Sequence, residues 1–112
     1  MSESDSDNWR LVRIYEDRIK RFREMEKHIN EVQAAIAMID VETQAYYALE
    51  DMLGLVADGI YDNRLGWADE WARNLLFTVR NLDIDEGQRK EAVVRINGLL
   101  KALEKALRIR NR

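Results

Sequence analysis

Between residues 8 and 53 the chain has neither proline nor glycine, so no residue in that stretch forces a helix to stop. Apolar side chains recur there at alternating steps of three and four. One series runs Tyr15, Phe22, Ile29, Ile36, Thr43, Glu50, and its partner runs Leu11, Arg18, Met25, Val32, Ile39, Tyr46, Leu53. Ten of these 13 positions are apolar, which is the heptad signature of a helix that lies along another helix. A continuous helix of this length would span roughly 70 Å at about 1.5 Å per residue. Such a rod cannot bury its own stripe, so the pattern calls for partner helices within the chain and in a second copy.

The rest of the composition narrows the class. With 46% hydrophobic and 35% charged residues, a chain of 112 residues reads as one soluble, helix-rich domain. There is no cysteine, which excludes a disulfide framework and thiolate chemistry and fits a cytoplasmic location. The first seven residues are acidic and hold no apolar segment of the kind a secretory signal needs. The longest apolar run, residues 34–39, is far too short to span a membrane, so no membrane partner is expected.

Punctuation along the chain suggests an all-α elongated bundle: a long heptad-patterned first helix, two shorter helices, and completion by dimerisation. Residues 1–7 read as a disordered acidic N-terminus and residues 8–112 as a single helical domain. Ser6 or Asp7 is a candidate N-cap. The first helix should run to about residue 57 or 58, with Gly59 as a C′ glycine and Ile60 as its apolar contact. The segment Asp40-Val41-Glu42-Thr43 is a possible break, but the seam passes through it in phase, so continuity is expected. A second helix should cover 65–81 and a third about 84–108, with Asp83 and Glu86 resembling a capping box.

The six residues 34–39 follow Gln33 and are apolar all round, as in a helix buried on every side. Ile29, Val32, Ala35, Ile36 and Ile39 are therefore the candidate dimer or core crossing. Two architectures satisfy the pattern. In one, the shorter helices run end to end against the first, and two such hairpins pair. In the other, the last helix folds back onto a three-helix bundle and the N-terminal half of the first helix projects.

Charge is unevenly spread although the net value is only −3. Residues 10–28 carry seven Lys or Arg against four acids, residues 29–87 carry three Arg against twelve acids, and residues 95–112 carry six against one. A solvated helix face is the default reading. Arg10, Arg13, Arg21, Lys101, Lys105 and Arg108 would form an anion-binding tip if the two basic segments meet. Acidic neighbours (Glu16, Asp17, Glu24, Glu26) and a pI near 5.2 oppose nucleic acid as the favoured partner.

Little material exists for catalysis. His28 is the only histidine, too few for a histidine metal site, and the five glycines form no phosphate-cradling loop, so no cofactor and no metal are expected. The connection between the first two helices is richer. Tyr46, Tyr47, Tyr61, Trp67 and Trp71 fall within 26 residues, interleaved with Glu50, Asp51, Asp58, Asp62, Asp69 and Glu70. Aromatic walls with carboxylates suit a basic helix or arm of a protein partner, or a small cationic ligand. As packing they are core rings and solvated acids. The reading that follows is a non-enzymatic, homodimeric protein–protein interaction module, an adaptor, regulator or small inhibitor of a larger complex. Its partner-binding candidates are Tyr47, Asp58, Tyr61, Asp62, Trp67, Asp69 and Glu70. A nucleic-acid-binding basic tip and an enzyme or small-ligand pocket at the aromatic–acidic end are the alternatives.

Overall fold

A computed structural model describes the backbone of residues 3–110 and the side chains of residues 9–109. Four helices follow one another: α1 (Glu3–Ala37), α2 (Thr43–Tyr61), α3 (Leu65–Asn81) and α4 (Glu86–Arg110), with no strand among the described residues. Each helix packs on the next and α4 packs back on α1, so the four close into a ring. Residue pairs set every neighbour antiparallel: Phe22 with Tyr61, Met52 with Thr78, Arg89 with Val79, and Glu31 with Arg95. This is an up-down-up-down four-helix bundle.

The continuous first helix that the heptad pattern implies is broken. α1 ends at Ala37 and α2 begins at Thr43. Two short-range bonds close the end, Met38 N–H to the Ala35 carbonyl (3.2 Å) and Ile39 N–H to the Ile36 carbonyl (3.0 Å). The amide of Asp40 then donates to the side chain of Gln88 on α4 (2.9 Å), tying the turn to the bundle. The β-branched residues Ile39, Val41 and Thr43 and the aspartate at 40 are modest helix formers. What decides is burial: doubling back lets Leu49, Leu53 and Val56 of α2 cover Val32 and Ile36 of α1 within one chain. Burying one large aliphatic side chain is worth about 1.5–3 kcal/mol, which outweighs the few helical residues lost at the turn.

The crossing at residues 34–39 is correspondingly one-sided. Val32, Ala35, Ile36 and Ile39 are buried and Ile29 is partly buried, but Ala34, Ala37 and Met38 face out. These residues belong to the single-chain core, because the helix ends where they lie and only one side meets its neighbours. The N-terminal boundary expected at Ser6 or Asp7 falls inside α1, which takes in residues 3–7; residues 1 and 2 lie outside the described residues.

Two further boundaries differ from the sequence pattern. Gly59 is helical, and the left-handed residue after α2 is Asn63 (φ 58°). Arg64 N–H reaches the Gly59 carbonyl (2.7 Å) and Asn63 N–H the Ile60 carbonyl (3.1 Å), the paired bonds of a Schellman end. Asparagine tolerates that backbone region, so the glycine was free to serve elsewhere. The cap of α4 is Asp85 rather than Asp83: its carboxylate accepts the Gln88 N–H at 3.1 Å.

The α3–α4 turn is held by Arg89, whose guanidinium donates to the carbonyls of Val79 (3.1 Å) and Arg80 (2.5 Å) while its Nε meets Glu86 (3.1 Å). A cation on the last carbonyls of α3 satisfies orphan acceptors at the negative end of the helix dipole. Arg89→Ala is expected to cost about 1–2 kcal/mol, read as a lower urea midpoint at unchanged slope.

The molecule measures 63 × 23 × 19 Å. The 25 residues of α4 span only about 37 Å. The difference is the N-terminal half of α1, which runs on past the other three helices.

Candidate functional site

The core of the bundle is complete within one chain: its buried residues are all apolar and come from all four helices. Three surface regions remain.

The first is the projecting half of α1. α4 ends beside Asp17, since Asp17 and Ile109 line one groove, and α2 ends beside Phe22, whose ring lies 4.3 Å from that of Tyr61. Further toward the N-terminus neither helix accompanies α1. Leu11, Val12, Ile14, Tyr15 and Ile19 are about half exposed and Trp9 more so. Scattered exposed apolar residues are ordinary, but Leu11, Val12, Tyr15 and Ile19 fall on one side of α1 at about 100° per residue and make a stripe, with Ile14 and Trp9 on its opposite flanks. At its base is a notch of about 310 Å³ between Tyr15, Ile19, Phe22 and Met25 of α1, Ile60 and Tyr61 of α2, Leu65 of α3 and Ala106 of α4. The bundle is open at this end. The notch needs four helices to form, so the spacing along the chain carries no sign of it.

The second region is the α2–α3 turn. Asp58, Tyr61, Asp62, Trp67, Asp69 and Glu70 gather there, whereas Tyr47 does not. Tyr47 lies fourteen residues up α2 from Tyr61, about 21 Å away. It packs edge-on against Tyr46 (5.9 Å) near the opposite end of the bundle. Tyr46 donates its hydroxyl to Glu50 (2.6 Å), a bond that chiefly holds the phenol's pKa above its ordinary value. The sequence cluster of five aromatics is thus split by the length of α2. Trp67 is packed on one side and open on the other: its ring sits on Gly59, 6.0 Å from that of Trp71, with the Arg64 guanidinium 4.9 Å above it, and 38% of the residue stays exposed. Asp69 holds Arg73 (2.9 Å). Asp58 and Asp62 are exposed and form no ion pair among the described residues.

The third region is a groove of about 670 Å³ between α1 and α4. Lys20, Arg21, Lys101 and Lys105 stand on its walls with Asp17 and Glu24 between them, over a floor that includes Met25, Ala102 and Ala106. The two basic segments therefore do meet. Arg10 and Arg13 lie past the end of the described part of α4, and Arg108 pairs with Glu104 (2.6 Å), so the six candidate anion ligands do not form one surface. His28 sits at the inner end of this groove, opposite Gly98 and 3.9 Å from Glu31.

Among the described residues no three His, Cys, Asp or Glu side chains converge as a metal site. No helix among them is long and apolar enough to cross a membrane. No protein-family model, curated protein or solved structure matches this chain.

Proposed function

We propose that this chain is a non-enzymatic protein–protein interaction module, a homodimeric adaptor or regulator acting in the cytoplasm, and that the projecting half of α1 is its docking element. One observation carries the reading: the arm exposes a continuous apolar stripe that the fold does not need, since the bundle closes its own core without it. A helix that offers i, i+4, i+7 apolar anchors is the form in which helix-in-groove and helix–helix recognition work. The arm is also the segment whose loss would least disturb the core.

The test compares protein capture by the wild type and by Ile19→Asp. The variant should keep the wild-type helix content and melting temperature within about 2 °C, since exposed substitutions rarely exceed about 0.5 kcal/mol. A protein that is retained by the wild type, survives nuclease and is lost by the variant supports the arm. Equal retention by both would sink it.

A second reading, nucleic-acid binding, draws on the α1–α4 groove with its four cations. Asp17 and Glu24 between them halve the local positive charge. On this reading affinity for a duplex or single strand should fall steeply between 50 and 200 mM salt. No binding at the lower salt would remove it.

A further inference from the structure

We infer that the notch at the open end of the bundle binds a small apolar carboxylate, with its body among the aromatic side chains and its charged head on Arg21 and Arg18. Such a site would operate whether or not the arm docks a protein.

The notch exists because helices of unequal reach meet there. α1 runs on past the ends of α2 and α4, so the last layer of the core has a floor and walls but no cover. The floor is Met25, Ile60, Leu65 and Ala106, one residue from each helix and all buried. The walls are Tyr15, Ile19 and Phe22 of α1 and Tyr61 of α2. The rings of Phe22 and Tyr61 lie 4.3 Å apart and tilted at 55°, while Tyr15, Ile19 and Tyr61 are half exposed or more. An apolar body between these walls removes from water a surface that the fold leaves wet. At about 310 Å³ the notch stands at the small end of ligand pockets, roughly 300–1,000 Å³. That suits a body the size of two fused rings.

Charge at the rim selects the head. Among the described residues, Arg18 and Arg21 are the only charged side chains that line the notch, and they stand three residues apart on one side of α1. Neither forms an ion pair among the described residues. Arg21 donates its Nε to the Asp17 carbonyl (3.3 Å), which holds the guanidinium along the helix and leaves its two terminal nitrogens open. The acids nearby face elsewhere. Asp17 and Glu24 line the groove between α1 and α4, and neither Asp58 nor Asp62 lines the notch. Arg21 is thus a half-buried guanidinium beside apolar walls with no counter-charge, an arrangement that costs free energy. A carboxylate accepting from its two terminal nitrogens supplies the missing charge with matched geometry. A cationic ligand would be repelled by the same two arginines. A polyanion would have to continue into the groove, against Asp17 and Glu24.

The probe is naphthalene-2-carboxylate, titrated at neutral pH into the isotope-labelled full chain and followed by amide NMR. Beside it stand naphthalen-2-ylmethylamine, which has the same rings with a positive head, and acetate, which has the head without the body. The carboxylate should bind with a submillimolar Kd and shift the amides of Phe22, Tyr61 and Leu65. Both comparison compounds should bind at least about tenfold more weakly. Arg21→Gln should weaken the carboxylate about tenfold with the circular dichroism unchanged. Lys27→Gln, on the opposite side of α1, should bind it as the wild type does. Equal affinity for the amine would reduce the site to apolar adsorption, and equal affinity for acetate would reduce it to an exposed cation; either overturns the inference. So would shifts confined to residues away from the notch, or wild-type affinity in Arg21→Gln. If Arg21→Gln does not fold, the three compounds compared on the wild-type chain decide the matter alone.

Discussion

Ile36→Asp is expected to abolish cooperative folding. Ile36 is 1% exposed on α1, in the core with Val32, Leu49 and Leu53, and among the described residues no polar or charged residue is buried to pair with a carboxylate. Losing the aliphatic chain costs about 2–5 kcal/mol, and burying a carboxylate without a partner adds several more. The sum approaches the entire stability of a small domain, about 5–15 kcal/mol. Circular dichroism at 222 nm should show a broad, non-cooperative melt or loss of helix at 25 °C. The contrast is Met38→Asp, two residues on and 72% exposed, which should stay within about 0.5 kcal/mol of wild type. A wild-type melt for Ile36→Asp would mean that α1 presents a different face to the core.

Substituting alanine at two glycines of the same helix should move stability in opposite directions. On α2, a Cβ at Gly59 would stand 2.8 Å from Trp67 Cδ1 and 3.1 Å from both the Cβ and the backbone nitrogen of Ala68; at Gly54 nothing lies within 4 Å. Helix propensity favours alanine at both by about 1 kcal/mol. At Gly54 that gain should appear undiminished, raising the melting temperature by about 4–8 °C. At Gly59 the obstruction is partly α3 backbone and partly an indole held against Trp71, so α2 and α3 must separate. Overpacking typically costs about 1–3 kcal/mol, which exceeds the propensity gain, and a fall of several degrees is expected. Equal increases in both variants would show that the two helices do not touch at Gly59.

Much of this protein is legible along the chain. The 3.6-residue periodicity marks the apolar faces, and helix α3 lies where the spacing puts it. Aspartate caps α4, although at Asp85, because local signals place a cap only to within a residue or two. The turn at residues 38–42 is less legible for a definite reason. A seven-residue step from Ile39 to Tyr46 keeps the seam in phase whether the chain runs straight or folds back, so the pattern is the same in both. Gly59 misled for a related reason, since glycine serves equally as a helix end or as a point of close helix approach, and only the position of Trp67 separates the two.

The candidate surfaces divide in the same way. Residue identity and local spacing alone determined an all-helical chain without thiolate chemistry, with a basic segment toward each end and an acidic middle. Which charges share a surface depends on distances between residues far apart in sequence. Tertiary structure separated Tyr47 from Tyr61 by the length of α2, put Lys20 and Arg21 beside Lys101 and Lys105, and left Arg10 and Arg13 out on an arm. It also decided that the long helix doubles back to cover its own seam, since burying that seam within one chain carries no cost of association. The bare stripe that remains is the part of α1 that extends past every helix able to cover it.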